Sequence, residues 1–176
     1  MTDHLPPPPH ALRRAWYHLW LDASDARQRI TPAGLRRLEQ AVRDSESRHR
    51  GELRVCIEGG LGPLALWRGV QARDRAIALF SALRVWDTAD NNGVLIYLLL
   101  AERRIELLAD RGLSEKVPAG VWADISATLS QALQRGDFEW GLQEAIEAVG
   151  ALLRTHCPRL PADRDVNELP DAIVLI

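Results

Sequence analysis

Apolar residues follow two strand-like patterns in the middle of the chain. From Glu52 to Glu58 every second residue is apolar, which predicts a strand with one strongly apolar face. Residues 94–100 are all apolar, as in a strand buried on both faces. A short turn leads into a third strand-like segment. We therefore predict that residues 93–100 and 104–109 are neighbouring antiparallel strands, with the first of them central in the sheet.

Elsewhere the apolar residues recur every three or four positions, which is typical of amphipathic helices. Thr31 and Pro32 form a helix start, with threonine as the N-cap and proline in the first turn. Helices alternate with strands and then follow one another. This order predicts an α/β sandwich with a small mixed sheet between helix layers. The predicted helices cover residues 11–22, 31–50, 71–86, 120–134 and 138–156.

The pattern divides the 176 residues into three parts. Residues 1–29 form a proline-rich tail with a short helix, and Pro6 to Pro9 are consecutive. Residues 30–157 are long enough for one domain with its own core. Residues 158–176 are predicted to be a C-terminal tail.

Composition excludes several classes of protein. With 22 basic and 24 acidic residues the net charge is −2, so a nucleic-acid partner is not expected. No apolar run reaches 18 residues and no secretory signal is recognisable, so we expect a soluble, cytoplasmic protein that does not insert into a membrane. The two cysteines form no CxxC motif, Cys56 is expected in the core, and no histidine lies beside a candidate nucleophile.

The segment before the central strand gathers oxygen-bearing side chains. Asp87, Thr88, Asp90, Asn91 and Asn92 offer carboxylates, a hydroxyl and amides close together. Hard cations such as Ca²⁺ and Mg²⁺ take such ligands from flexible loops. Asn and Asp are also common in turns, because their side chains bond to nearby backbone. The spacing alone favours a turn, and a cation site stays open.

Asp110 brings a further carboxylate to the same region. It follows the third predicted strand, and an antiparallel hairpin places the end of that strand beside the start of the central one. Carboxylates that converge from two loops make a better cation site than one loop alone. The candidate ligands are Asp90, Asn91, Asn92 and Asp110, with Asp87 and Thr88 as further candidates.

A glycine-rich turn follows the first strand. Gly59, Gly60 and Gly62 suggest a phosphate-binding loop, but they lack the lysine and the full glycine pattern of known loops. A plain turn is the favoured interpretation.

Several segments together resemble one known family, the TPM domain family. The resemblance covers roughly residues 30–157. It rests on GELRV (51–55), ARDRAIALFSAL (72–83), DNNGVLIYL (90–98), ERRIELLADRGL (102–113), the Trp122 to Ile125 spacing and ALQRGDFEWGLQEAI (132–146).

The resemblance implies a three-layer α/β/α sandwich with a small mixed sheet, in agreement with the pattern. The family includes plant thylakoid-lumen proteins linked to photosystem II repair and many bacterial proteins. Some plant members are described as acid phosphatases, and a divalent-cation site in an acidic cleft is reported for relatives. The matching positions in this chain are Asp90, Asn91, Asn92 and Asp110.

Two functions from different classes follow. The first is a non-catalytic interaction or accessory module for a protein partner, membrane-associated or part of an assembly, with a Ca²⁺ or Mg²⁺ site. The second is a metal-dependent acid phosphatase, in which a metal-activated water attacks a phosphate ester. In that case Arg103, Arg104 or Arg111 would balance the phosphate charge. Whether the protein is an enzyme stays open at this point.

Overall fold

The computed structural model describes residues 29–159 and 168–176. The predicted helix over residues 11–22 and the proline run lie outside these ranges. A 3₁₀ turn, Leu100–Glu102, joins the second and third strands. The elements in chain order are α1 (Pro32–Glu46), β1 (Leu53–Glu58), α2 (Pro63–Trp67), α3 (Ala72–Ala82), β2 (Val94–Leu99), β3 (Arg104–Ala109), α4 (Arg111–Ser114), α5 (Ala119–Arg135), α6 (Phe138–His156) and β4 (Val174–Leu175).

The four strands form one mixed sheet in the order β3-β2-β1-β4. β2 and β3 are antiparallel, with Val94 opposite Ala109 and Leu99 opposite Arg104. The predicted hairpin and the interior place of its first strand are therefore confirmed. β1 and β2 are parallel, because the chain crosses between them through α2 and α3. Leu53 pairs with Val94, so the segments that precede these two strands lie side by side.

Helices cover both faces of the sheet. On one face Val55 and Ile96 belong to a core shared with α1, α5 and α6. On the other face Leu95 and Tyr97 pack in a second core with α3. The fold is thus a three-layer α/β/α sandwich, as predicted. No helix in the described ranges is long and apolar enough to cross a bilayer.

Local signals set the ends of the long helices. The Thr31 hydroxyl accepts a hydrogen bond from the Gly34 amide at 3.0 Å, which caps α1 as predicted. α5 ends at Gly136, whose φ of 87° is left-handed and suits a residue without Cβ. Pro158 follows α6, and proline cannot continue a helix.

The polar side of β1 is buried too, which the alternating pattern did not predict. Glu58 is only 5% exposed. Its carboxylate accepts two hydrogen bonds of 2.9 Å from the Arg75 guanidinium on α3 and one of 2.7 Å from the Tyr97 hydroxyl on β2. Burial, and then the bond to Glu58, raise the pKa of Tyr97 well above its usual value. The polar residues of β1 therefore belong to the core.

The C-terminal residues complete the sheet rather than forming only a tail. Val174 and Leu175 pair with Cys56 and Ile57 of β1 in parallel orientation. The Glu52 carboxylate accepts hydrogen bonds of 3.2 Å from the amides of both Glu168 and Leu169. Glu52, the residue before β1, thus anchors the segment that leads into β4.

Candidate functional site

The loop between α3 and β2 is a tight turn built from its own polar side chains. The Thr88 hydroxyl accepts a hydrogen bond of 3.1 Å from the Asn92 amide, and the Thr88 carbonyl accepts one of 3.2 Å from the Asn91 amide. Asn91 has a φ of 51°, a left-handed conformation that asparagine tolerates better than most residues. Thr88 thus forms hydrogen bonds within the turn, and a turn is present as the spacing favoured, closed by the threonine hydroxyl.

The Asp110 loop lies against this turn. The Asp110 amide donates to the Gly93 carbonyl and the Gly112 amide to the Asn91 carbonyl, both at 2.9 Å. A Cβ added to Gly112 would lie 2.5 Å from the backbone carbonyl oxygen of Asn91 and 2.6 Å from that of Asp90. Only glycine permits this approach. The two loops that the hairpin was expected to bring together are therefore in direct contact.

Two buried oxygen atoms in these loops receive no hydrogen bond from the described residues. Asn92 is 1% exposed and donates from Nδ2 to the Arg50 carbonyl at 2.8 Å, but its Oδ1 has no donor. Asp110 accepts from the Arg111 amide at 2.7 Å through Oδ1 and caps α4, whereas its buried Oδ2 has no donor. An unsatisfied buried acceptor costs roughly 1–3 kcal/mol. A cation or a water molecule would satisfy both atoms.

The remaining acidic groups lie at the surface of the site. The Asp90 carboxylate forms an ion pair of 2.7 Å with Arg50, and both side chains are 44% exposed. Asp87 is exposed as well. Within the described ranges, no group of three or more His, Cys, Asp or Glu side chains is placed to hold a metal. A cation here would therefore need amide and carbonyl oxygens beside the carboxylates.

The three candidate arginines separate into two groups. Arg111 stays with the acidic loops, and its guanidinium lies 3.4 Å from the Asn91 Oδ1 atom. Arg103 and Arg104 lie at the other end of β3, because Arg104 pairs with Leu99 whereas Ala109 pairs with Val94. Five residues of strand at about 3.3 Å each separate the two ends by about 17 Å. The structure thus brings only Arg111 to the candidate cation site.

Three further side chains that could act in nucleophilic catalysis, Ser45, His49 and Cys56, are buried. Ser45 and His49 form a hydrogen bond of 3.0 Å, a pair that sequence analysis did not recognise, but both are 0% exposed. Burial lowers the pKa of His49 to about 4. Cys56 is free, lies in the core as predicted, and burial raises the pKa of its thiol to about 12. None of these groups can reach a substrate in this conformation.

Arg50 is the site residue that sequence analysis missed. It precedes β1, as Asn91 and Asn92 precede β2, and the parallel register places these positions side by side. The parallel direction of β1 and β2 is what would have predicted this position of Arg50. Two strands joined by a long helical connection are commonly parallel, and this rule would have placed Arg50 near Asn92.

A comparison with known protein families identifies the class of protein. Residues 23–152 match the family model of the TPM domain. The match covers more than half of the chain, so the chain belongs to the TPM domain family. No curated protein sequence matches it.

Two solved structures are similar to this chain. One is the NMR structure of the BA42 protein from the psychrophilic bacterium Bizionia argentinensis, with 28% identity and a TM-score of 0.72, over 82% of this chain and 94% of that one. The other is the solution NMR structure of the N-terminal domain of a protein from P. gingivalis, with 23% identity and a TM-score of 0.60, over 74% and 82%. The second similarity shows the fold alone.

Proposed function

We propose that this TPM domain is a non-catalytic interaction or accessory module whose two acidic loops bind a divalent cation. The observation that carries the cation site is the pair of buried acceptors, Asn92 Oδ1 and Asp110 Oδ2, on loops that touch each other. Both atoms can only accept, and a cation offers the complementary charge. Calcium suits the site better than zinc, because every available ligand is an oxygen.

In this proposal the cation joins the two loops. The carboxylates of Asp90 and Asp110 would hold it, and Asn91 and Asn92 would add oxygens without further like charge. Asp90 would exchange part of its interaction with Arg50 for the cation. That exchange costs little, since an exposed ion pair contributes about 0–1 kcal/mol.

We propose that a protein partner binds the exposed surface of α2. Leu64 and Trp67 are 58% and 82% exposed, and α2 has no buried residue. Tryptophan is among the residues that contribute most to binding energy at protein interfaces. We propose that this partner is membrane-associated or part of an assembly, and that the protein is cytoplasmic.

The second candidate function is a metal-dependent phosphatase. The observation in its favour is Arg111, which places one guanidinium beside the acidic loops and could bind a phosphate next to a cation. Arg103 and Arg104 would take no part, because they lie at the other end of β3.

The test is the melting temperature as a function of Ca²⁺ concentration, for the native protein and for Asp110→Asn. Asparagine caps helices as well as aspartate does, so the variant keeps its α4 cap. At a concentration of 100 times Kd, binding stabilises the native protein by about 2.7 kcal/mol, equivalent to roughly 5–10 °C. Asp110→Asn should lose most of this shift, whereas Asp124→Asn on α5 should keep it.

Two outcomes would contradict the proposal. If Ca²⁺ and Mg²⁺ leave the native melting temperature unchanged, or shift Asp110→Asn equally, the loops form only a turn. If the native protein hydrolyses a phosphate ester with metal and Asp110→Asn does not, the module is catalytic and the phosphatase replaces the first proposal.

A further inference from the structure

A cavity of about 350 Å³ opens at the carboxyl end of β2, on the opposite end of the hairpin from the acidic loops. Its walls come from the hairpin turn, the last turn of α5 and the start of α6. Pockets for small ligands in proteins begin at about 300 Å³, and open α/β sheets bind ligands at the carboxyl ends of strands. The position and volume of this cavity therefore suit a small ligand.

The charged residues among the described lining of the cavity are all basic. Arg29, Arg103, Arg104 and Arg135 line it, and none of its described lining residues is acidic. Arg135 lies 3.3 Å from Asp137, and both of these side chains are more than half exposed. Within the described residues, the guanidinium groups of Arg103 and Arg104 form no hydrogen bond or ion pair. Two forked donors are thus open to an anion at the rim.

The backbone at the rim is unusual for an arginine. Arg103 has a φ of 52°, in the left-handed region where glycine is the residue without strain. The turn therefore carries a long cationic side chain at a position where the backbone itself favours glycine. Strained positions of this kind occur at binding sites more often than elsewhere, which agrees with the open guanidinium.

Part of the cavity wall is apolar. Leu100, Leu133 and Phe138 line it, and all three are partly buried against the main core. The Phe138 ring also carries the Arg29 guanidinium at 5.0 Å from its centre. An occupant would therefore meet both apolar side chains and cationic donors.

We propose that this cavity binds a small amphipathic anion. Its acidic group, a carboxylate or a phosphate, is held by Arg103 and Arg104, and its short apolar part lies against Leu133 and Phe138. Guanidinium groups bind either acid in a forked geometry, so the charge and the apolar part define the ligand class. The site is independent of the cation proposed at the other end of the hairpin.

The test is a titration of the native 176-residue protein, followed through its backbone amide NMR signals. Three probes separate the contributions: octanoate carries both groups, octanamide only the apolar chain, and inorganic phosphate only the charge. Octanoate should give saturable shifts centred on Leu100, Arg103 and Gly136. Octanamide and phosphate should each bind about tenfold more weakly, since each lacks one of the two interactions. Equal binding of octanoate and either single-group probe, or no saturable shift, would overturn the proposal.

Matched variants locate the anion. Arg103→Gln should weaken octanoate binding about three- to tenfold, because one charge-assisted hydrogen bond is lost at a partly exposed rim. Arg84→Gln is the control, since Arg84 is also an exposed arginine with positive φ, 56°, but does not line the cavity. Ser130→Glu should abolish binding by charge repulsion, whereas Ala127→Glu on the same helix should not. Equal effects within either pair would contradict the proposed site.

Discussion

At the carboxyl end of β1, one carboxylate joins both neighbouring elements. Glu58 accepts from Arg75 on α3 and from Tyr97 on β2, so its charge is paired and its oxygens are hydrogen-bonded. Removing a charged group from water costs several kcal/mol unless such partners are present. The network therefore depends on every member.

Tyr97→Phe removes only the hydroxyl of this network. We expect the free energy of unfolding to fall by about 1–2 kcal/mol, because a buried hydrogen bond to a charged group is lost and Arg75 keeps part of the compensation. Urea unfolding monitored by tryptophan fluorescence measures this loss. A change below about 0.3 kcal/mol would show that the Glu58 network does not stabilise the fold.

At the candidate site, the residue types and the contact between the two loops were predictable, but the contact with Arg50 was not predicted. Asp90, Asn91, Asn92 and Asp110 stood out because oxygen ligands cluster in the sequence. The hydrogen bond from Asn92 Nδ2 to the Arg50 carbonyl and the unsatisfied Asn92 Oδ1 depend on the register of two strands that are far apart in sequence. No local spacing carries that information.

At the scale of elements, the hairpin and the long helices followed from short-range patterns. The apolar run of β2 and the stripe of α6 are each complete within one segment, so periodicity was sufficient. β4 was missed because only Val174 and Leu175 pair, and their partner is more than a hundred residues away. The burial of the polar side of β1 was missed for the same reason.

The end of α1 meets the C-terminal segment through a buried carboxyl group. Glu46 accepts from the Leu53 amide at 2.8 Å and lies beside Asp171. Burial raises the pKa of Glu46 from 4.5 to about 9, and the carboxyl groups of Glu52 and Asp171 add to this increase. The folded protein therefore keeps a proton at neutral pH that the unfolded chain has lost.

Because only the folded protein keeps this proton, the free energy of unfolding falls as the pH rises from 4.5 to 9. Between pH 7 and pH 9, where His49 is neutral in the folded state and mostly neutral in the unfolded chain, we expect a loss of about 2 kcal/mol in the native protein, because one proton contributes about 1.4 kcal/mol per pH unit. Glu46→Gln should remove this slope, and Glu39→Gln on the same helix should retain it. Urea unfolding at three pH values measures both. A native slope that persists in Glu46→Gln would show that another group is responsible.

Over the whole of the described fold, Trp67 and Trp122 represent a surface tryptophan and a structural one. Trp67 on α2 is 82% exposed, whereas Trp122 on α5 packs against the main core. Trp67→Ala should change the free energy of unfolding by less than about 0.5 kcal/mol, as expected for a surface residue. Trp122→Ala should cost about 2–4 kcal/mol. If Trp67→Ala lowers the free energy of unfolding as much as Trp122→Ala does, α2 is structural and not available to a partner.

The two proposed sites lie at opposite ends of the same hairpin. The acidic loops adjoin the start of β2, and the arginine-lined cavity adjoins its end. A separation of about 17 Å exceeds the Debye length at physiological salt, about 8 Å, so exposed charges at one end are largely screened from the other. Variants at one site should therefore leave the other unchanged.

The central claim, a cation held between the Asp90–Asn92 turn and Asp110, is tested most directly by terbium luminescence excited through tryptophan. Trp86 directly precedes the acidic turn, so Tb³⁺ bound there would receive its excitation. We predict saturable emission that millimolar Ca²⁺ displaces, that Asp110→Asn loses and that Asp124→Asn keeps. Emission of equal strength in Asp110→Asn, or emission that Ca²⁺ does not displace, would contradict it.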